Sequence, residues 1–366
     1  MKTLSLFICL LLLNFTLSAQ QDILLSADGK ESTLEERMAF WKVNGMSAVI
    51  IKDGKVTNSL NWGFADPNTK RVVSKQTLYQ AGSLSGTLAA IVALRAVEQG
   101  KLSLDKDINQ YLSSWQLPTN RHTKNDPVTL RDILTKRRGF KQAMKPKGYL
   151  TSEKLPSLLQ LLQGESPAKN KEVTVRSSTH EQGNYSYETE LILQQLLEDV
   201  YQQPFEKLMQ DQLLIPLGMK NSFFAAKLND KQKAMAAVGF DQSGNRIEDD
   251  QWAYPELAAS GLWTTSEDYA KVVIELLAIS KGKQDGILSV DMLKAAFIPI
   301  NHRKALIGNS NGTKSTVLYG GASMGFRTQF ELFPEQGWGI VVFMNSYQNW
   351  KFMNEAMRGL KKHFSL

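Results

Sequence analysis

Apolar positions along this chain keep one period early, another through the middle and the first again near the end. The segment Ser47-Ala-Val-Ile-Ile-Lys-Asp-Gly-Lys-Val holds a short apolar run, then Asp53-Gly54, then a second run reaching about Trp62. Asp-Gly between two such runs predicts a hairpin, because a tight antiparallel turn needs residues that tolerate positive φ. From Ser83 the spacing becomes helical, with Leu88, Ile91, Val92 and Ala96 on one face and Gly100-Lys101 closing the run. Leu104 to Trp115 predicts a short helix ended before Pro118, and Val128-Thr129-Leu130-Arg131-Asp132 a helix start capped by Thr129. Residues 155–218 are mostly helical in pattern, most strongly over 191–201 and 205–214. Residues 225–260 lose periodicity and gain Gly, Asp and Asn. Ser266 is the expected cap of a helix to Leu277, with Glu267 and Asp268 in a first turn where the helix dipole favours acids.

Two strands follow near the end. Residues 328–333 alternate, 339–345 read as a buried run, and Pro334-Glu335-Gln336-Gly337 makes the turn between them. The last helix carries Phe352, Met353, Ala356, Met357, Leu360 and Phe364 on one stripe. Such a stripe packs most simply on a sheet, with a membrane surface as the alternative. The first and last strands would share one antiparallel sheet flanked by helices, with a helical lobe between them. This is a two-lobed α/β (α+β) layout: a sheet lobe of about 25–80 and 255–366, a helical lobe of about 83–250, and a groove between the two, where ligand sites usually form.

Composition narrows the compartment. Met-Lys-Thr-Leu-Ser, an apolar run from Leu6 to Leu13, and Ser18-Ala19 before Gln-Gln read as a secretory signal peptide over residues 1–19. The run is too short to span a bilayer as a stable anchor. The expected location is therefore periplasmic or secreted, with residues 20–366 as the mature domain. The single cysteine, Cys9, falls inside the leader, so the mature protein would have neither disulfides nor a thiolate metal site. Roughly 345 residues suffice for one large domain or two lobes with a substantial core. The net charge is +7, but Lys and Arg are scattered rather than striped, the densest group being Lys136-Arg137-Arg138. That excludes no anionic surface and supports no nucleic-acid partner. His122, His180, His302 and His363 lie far apart. There is no zinc spacing, P-loop, dinucleotide fingerprint or repeat, and no metal or organic cofactor is implied.

The candidate chemistry sits in residues 80–87, Gln-Ala-Gly-Ser-Leu-Ser-Gly-Thr, where Ser83 opens the first long helix. Four further stretches accompany it: Glu98-Gln-Gly-Lys-Leu-Ser-Leu-Asp, Pro216-Leu-Gly-Met-Lys-Asn-Ser, Ala258-Ala-Ser-Gly-Leu-Trp-Thr-Thr and Gly320-Gly-Ala-Ser-Met-Gly-Phe. In this order and at these intervals they resemble the serine β-lactamase and penicillin-binding-protein-like hydrolases, closest to the class C and esterase-like branch, over roughly Glu36 to Ser346. The resemblance implies the β-lactamase/transpeptidase-like fold and an acylated serine whose proton goes to a lysine one turn on. It also implies a tyrosine from a Tyr-Ser-Asn or Tyr-Ser-Gly motif, a Lys or His on a late strand, and two backbone N–H groups that hold the oxyanion.

Carried over by position, the nucleophile is Ser83 and the oxyanion groups are the N–H of Ser83 and of Ala322. The lysine position is Gly86. The second motif is Tyr185-Ser186-Tyr187, and the third is Tyr319-Gly320-Gly321, with Tyr319 where Lys or His is expected. Lys136-Arg137-Arg138-Gly139 stands where the family often has a His-Thr-Ser-Gly-like stretch. A serine hydroxyl needs a base, Gly86 offers none, and Tyr185 is the remaining candidate. A lysine from elsewhere, Lys75 or Lys136, could restore one, but the sequence places neither. The plain alternatives are a capping serine at 83, groove-wall aromatics at 185 and 319, and backbone packing at Gly320 and Gly321. Two functions follow. One is a catalytically impaired, pseudoenzyme-like protein whose groove binds a peptide, ester or cell-wall fragment. The other is an active serine hydrolase, an esterase or D-amino-acid peptidase, using Ser83 with Tyr185 or a displaced lysine.

Overall fold

The hairpin expected at Asp53-Gly54 forms between β1 (Gly45–Lys52) and β2 (Lys55–Asp66), and the two turn residues take φ of 49° and 69°. The computed structural model describes residues 23–27, 30–136, 139–140, 148–177, 187–298, 306–307, 309–310, 316–347 and 349–366. With β3 (Arg71–Val72), β4 (Asn309–Ser310), β5 (Val317–Ser323), β6 (Phe326–Phe333) and β7 (Trp338–Met344), the hairpin builds a seven-stranded sheet. The order is β4-β5-β6-β7-β1-β2-β3 and every pairing is antiparallel. Early and late strands meet at its middle, where Val341 of β7 lies opposite Val49 of β1.

The helices that matter for the site are α1 (Leu84–Glu98), α2 (Leu130–Thr135), α3 (Glu188–Tyr201), α4 (Leu257–Ser260), α5 (Ser266–Ser280) and α6 (Trp350–His363). β1 is apolar but for Ser47 and Lys52 because both faces of the sheet are covered. Val49 and Ile51 face a core shared with α1, α3 and α5, whereas Met46, Ala48 and Ile50 face a second core under α6 and the short helix Leu34–Phe40. α1 is buried on nearly every side, so it serves as the central helix of the first core. The stripe of α6 packs on the sheet, with Phe352, Met353, Ala356, Met357 and Leu360 all buried there.

Local chemistry explains the departures from the expected elements. Only one 3-10 turn, Ile108–Gln110, forms within Leu104–Trp115. Short polar side chains divert the backbone there: Ser103 Oγ accepts from the Asp105 N–H, Asp107 from the Asn109 N–H, and Asn109 from the Leu117 N–H. The 205–214 stretch is α-helical only to Met209, then widens to a π turn that brings Leu213 and Leu214 inward. The cap of α5 is Thr265, not Ser266: its hydroxyl accepts from the Asp268 N–H at 3.1 Å, and Ser266 is the first helical residue. Thr129 caps α2 as expected, accepting from the Asp132 N–H at 3.2 Å.

The second core depends on α6. Phe352 is fully buried in it. Phe352→Ala is expected to lower unfolding stability by about 3–5 kcal/mol, read as a shift in denaturant midpoint at constant m-value.

Candidate active site

The chain reaches α1 from a small sheet in which Tyr79–Gln80 pairs with Leu262–Thr264, and Leu262–Thr264 pairs with Phe223–Phe224. Gly82 then takes φ +56°, and a Cβ on it would lie 2.6–2.7 Å from the backbone C, N and O of Ala322 on β5. A Cβ on Gly321 would collide with the Ala81 carbonyl oxygen and lie 2.6 Å from Thr328 Oγ1. The Thr328 hydroxyl donates to that same Ala81 carbonyl at 2.8 Å. Two absent side chains and one hydrogen bond thus press the start of α1 against β5. Gly320 serves the opposite face, where its Cβ would meet Arg327 Nη2 at 3.0 Å and the Trp350 ring at 3.5 Å.

Ser83 stands at the N-cap position of α1, yet its side chain makes no capping hydrogen bond. The structural serine is Ser85: its hydroxyl donates to the Gly82 carbonyl at 2.7 Å and accepts from the Leu262 N–H at 3.1 Å. Ser83 and Gly86 are half-buried while the residues around them, Leu84, Ser85, Thr87 and Leu88, are buried. Those two positions are therefore the partly open ones at the start of α1.

Gly86 differs in kind from Gly82. Its backbone is helical, and a Cβ there would find Glu190 Oε1 at 3.4 Å and the Ala258 carbonyl oxygen at 3.6 Å, which are ordinary contacts. Neither φ nor crowding requires glycine. Beyond that point lies the Glu190 carboxylate of α3. Lys136 Nζ donates to Glu190 Oε1 at 2.5 Å and to the Tyr319 hydroxyl at 3.3 Å, while Thr189 Oγ1 donates to Glu190 Oε2 at 3.0 Å. The ion pair is well covered, the Lys136 and Glu190 side chains being 14% and 6% exposed. Lys136 reaches it from the C-cap of α2 with φ 54°, a left-handed conformation unusual for a residue with a side chain.

The structure therefore brings together Ser83, Gly86, Tyr319, Ala322 and Lys136. Lys75 lies elsewhere, two-thirds exposed and 3.9 Å from Glu267. Tyr185 and Ser186 are outside the described residues, as are Arg137 and Arg138. Tyr187 is the N-cap residue of α3. Glu190 went unnoticed in the sequence, where an acid in a helix's first turn reads as a dipole partner.

The wall near Tyr187 contains a second carboxyl. Burial pushes the Glu256 carboxyl up to about 7, against smaller opposing pulls from hydrogen bonding to its own backbone and the Tyr187 hydroxyl and from the Lys169 charge. Two residues earlier, the Tyr254 hydroxyl accepts from the Met324 N–H at 2.9 Å and so ties this wall to the turn after β5. Among the described residues, no group of three or more His, Cys, Asp or Glu is placed to hold a metal ion.

Residues 31–362 match the Beta-lactamase family. The chain belongs to that family. Beta-lactamase family relatives include a "Beta-lactamase" of Pseudomonas fluorescens, 28% identical over 260 residues, covering 70% of this chain and 67% of the relative. "Protein flp" of Staphylococcus aureus strain MRSA252 is 22% identical over 324 residues, covering 86% of this chain; the chain spans 62% of that relative's length. The same architecture recurs in the octameric penicillin-binding protein homologue from Pyrococcus abyssi, with a TM-score of 0.72, 21% identity, and coverage of 91% of this chain and 77% of that one.

Two measurements check this geometry. Gly86→Ala is expected to stabilise the protein by up to about 1 kcal/mol through helix propensity, whereas Gly82→Ala destabilises it through its φ of +56° and its Ala322 contact; denaturation midpoints of the two variants read the contrast. Glu256 gives a pH dependence. Its folded-state value of about 7 stands above the ordinary 4.5, so the contribution of the neutral carboxyl is intact below pH 4.5 and is lost as pH rises through 7. The loss is on the order of 3 kcal/mol. Glu256→Gln is expected to flatten the decline in Tm between about pH 5 and pH 8.

Proposed function

We propose that this chain is an exported member of the family whose groove binds an acyl-bearing ligand, a peptide, ester or cell-wall-type fragment, without efficient acylation of Ser83. The observation that carries the reading is the Glu190 carboxylate beside position 86, already paired with the Lys136 ammonium at 2.5 Å. The family resemblance calls for an amine that takes the serine proton. An ammonium held in a covered ion pair donates hydrogen bonds and accepts no proton. Losing one member of a nucleophilic unit typically costs on the order of 10³–10⁶ in turnover.

Binding is supported by what remains. The close approach of Gly82 to Ala322 keeps the start of α1 beside β5, where a carbonyl oxygen could be held. Tyr187 and Tyr319 give the groove aromatic walls. Export is supported by the leader-like pattern of residues 1–19.

One observation favours a second reading, a working serine hydrolase with a displaced lysine: Lys136 Nζ stands 3.3 Å from the Tyr319 hydroxyl, inside the groove. A fluorophosphonate probe, chromogenic esters and β-lactams separate the two. The expected result is equal, background labelling and hydrolysis for the wild type and Ser83→Ala, while cell-wall peptide fragments raise the Tm of both. Ser83-dependent labelling or hydrolysis that disappears in Lys136→Met would establish the hydrolase instead.

A further inference from the structure

Gly86 and Glu190 lie on different helices, yet they share one space. Position 86 has room for a Cβ, with contacts of 3.4–3.6 Å, and the nearest atom it meets is the Glu190 carboxylate oxygen. That carboxylate is fixed at both oxygens, Oε1 by Lys136 Nζ at 2.5 Å and Oε2 by Thr189 Oγ1 at 3.0 Å. Lys136 in turn reaches the far side of the groove through Tyr319 on β5. Among the described residues, position 86 meets the Glu190 carboxylate of α3 and the Ala258 carbonyl of α4, with the Lys136 ammonium one contact further on, against Glu190, and the Tyr319 phenol beyond it. Both acceptor groups closest to the empty position, the Glu190 carboxylate and the Ala258 carbonyl, favour a cation over a neutral amine.

We propose that Glu190 is the positioning residue that keeps an amine restored at position 86 from serving Ser83: such an amine stays an ammonium beside the Glu190 carboxylate, and becomes a base once Glu190 is replaced by a neutral side chain. The proposal rests on the non-acylating reading above. It makes the glycine and the glutamate one exchange, so that restoring the lysine alone does not restore chemistry. Gln is the natural neutral replacement, since its amide oxygen can still accept from Lys136 and its NH2 can donate to the Thr189 hydroxyl.

The test uses the full chain as wild type, Gly86→Lys, Glu190→Gln and the double variant, each with and without Ser83→Ala. Each is treated with a fluorophosphonate and read by intact mass. In the reaction Ser83 Oγ attacks phosphorus, the P–F bond breaks, fluoride leaves, and the serine proton passes to the neutral amine at position 86. The double variant is expected to label at least ~100-fold faster than Gly86→Lys alone, the scale of a general base. Labelling should vanish with Ser83→Ala. Glu190→Asp in place of Gln keeps the charge and should leave labelling slow, a contrast that a packing role would not produce. Glu190→Ala provides an independent neutral variant should the Gln protein misfold.

Equal rates for Gly86→Lys and the double variant would overturn the proposal, as would two folded double variants that both stay unlabelled. Labelling of Glu190→Gln alone at the double variant's rate would move the role to Lys136 and also overturn it. Ser83 labelling in the wild type, by contrast, would overturn the non-acylating reading, and the ratio of double to single variant would still decide the part played by Glu190.

Discussion

The site depends on one close approach: the backbone at Gly82 lies against the backbone of Ala322 with no side chain between them. A left-handed glycine, the bare Cα of Gly321 and the Thr328 hydroxyl on the Ala81 carbonyl set this spacing together. It fixes the start of α1 against β5 and thereby fixes which residues of α1 face the groove. Once α1 is anchored there, most of its remaining surface is buried and apolar, from Leu88 through Leu94. Ser83 and Gly86 alone in its first turn stay half-buried.

Beside position 86 lies a charge pair where the family resemblance expects a base. A buried carboxylate without a partner costs several kcal/mol, and so does a buried ammonium, but paired and hydrogen-bonded they can coexist at this depth. Lys136 is placed for this by its left-handed backbone at the end of α2. The arrangement is coherent as a structural pair, with Lys136 Nζ donating to both Glu190 and Tyr319. The approach of Gly82 to Ala322 is built from backbone and is untouched by which side chains stand at positions 86 and 319.

Much of this was legible in the chain. The hairpin at Asp53-Gly54, the long helix after Ser83, the late strands and the stripe of α6 all follow from period and turn chemistry, and the ordered motifs point to the family. The local errors have local causes: side chains such as Asp107 and Asn109 bind backbone groups that a helix would have used, and Thr265 out-competes Ser266 as a cap by one residue. The site was legible as positions and not as charges. Gly86 and Tyr319 announce missing cations, but Glu190 looks like any acid in a first turn, and Lys136 like one member of a basic cluster. Only the packing of α3 against both α1 and α2 joins them, and nothing in the spacing of residues 86, 136 and 190 encodes that contact.

The ion pair between Lys136 and Glu190 is tested most directly by the NMR signal of the Lys136 side-chain nitrogen in the wild type and in Glu190→Gln. The pair predicts a signal that moves when Glu190 is made neutral. A signal that is the same in both proteins would contradict the account.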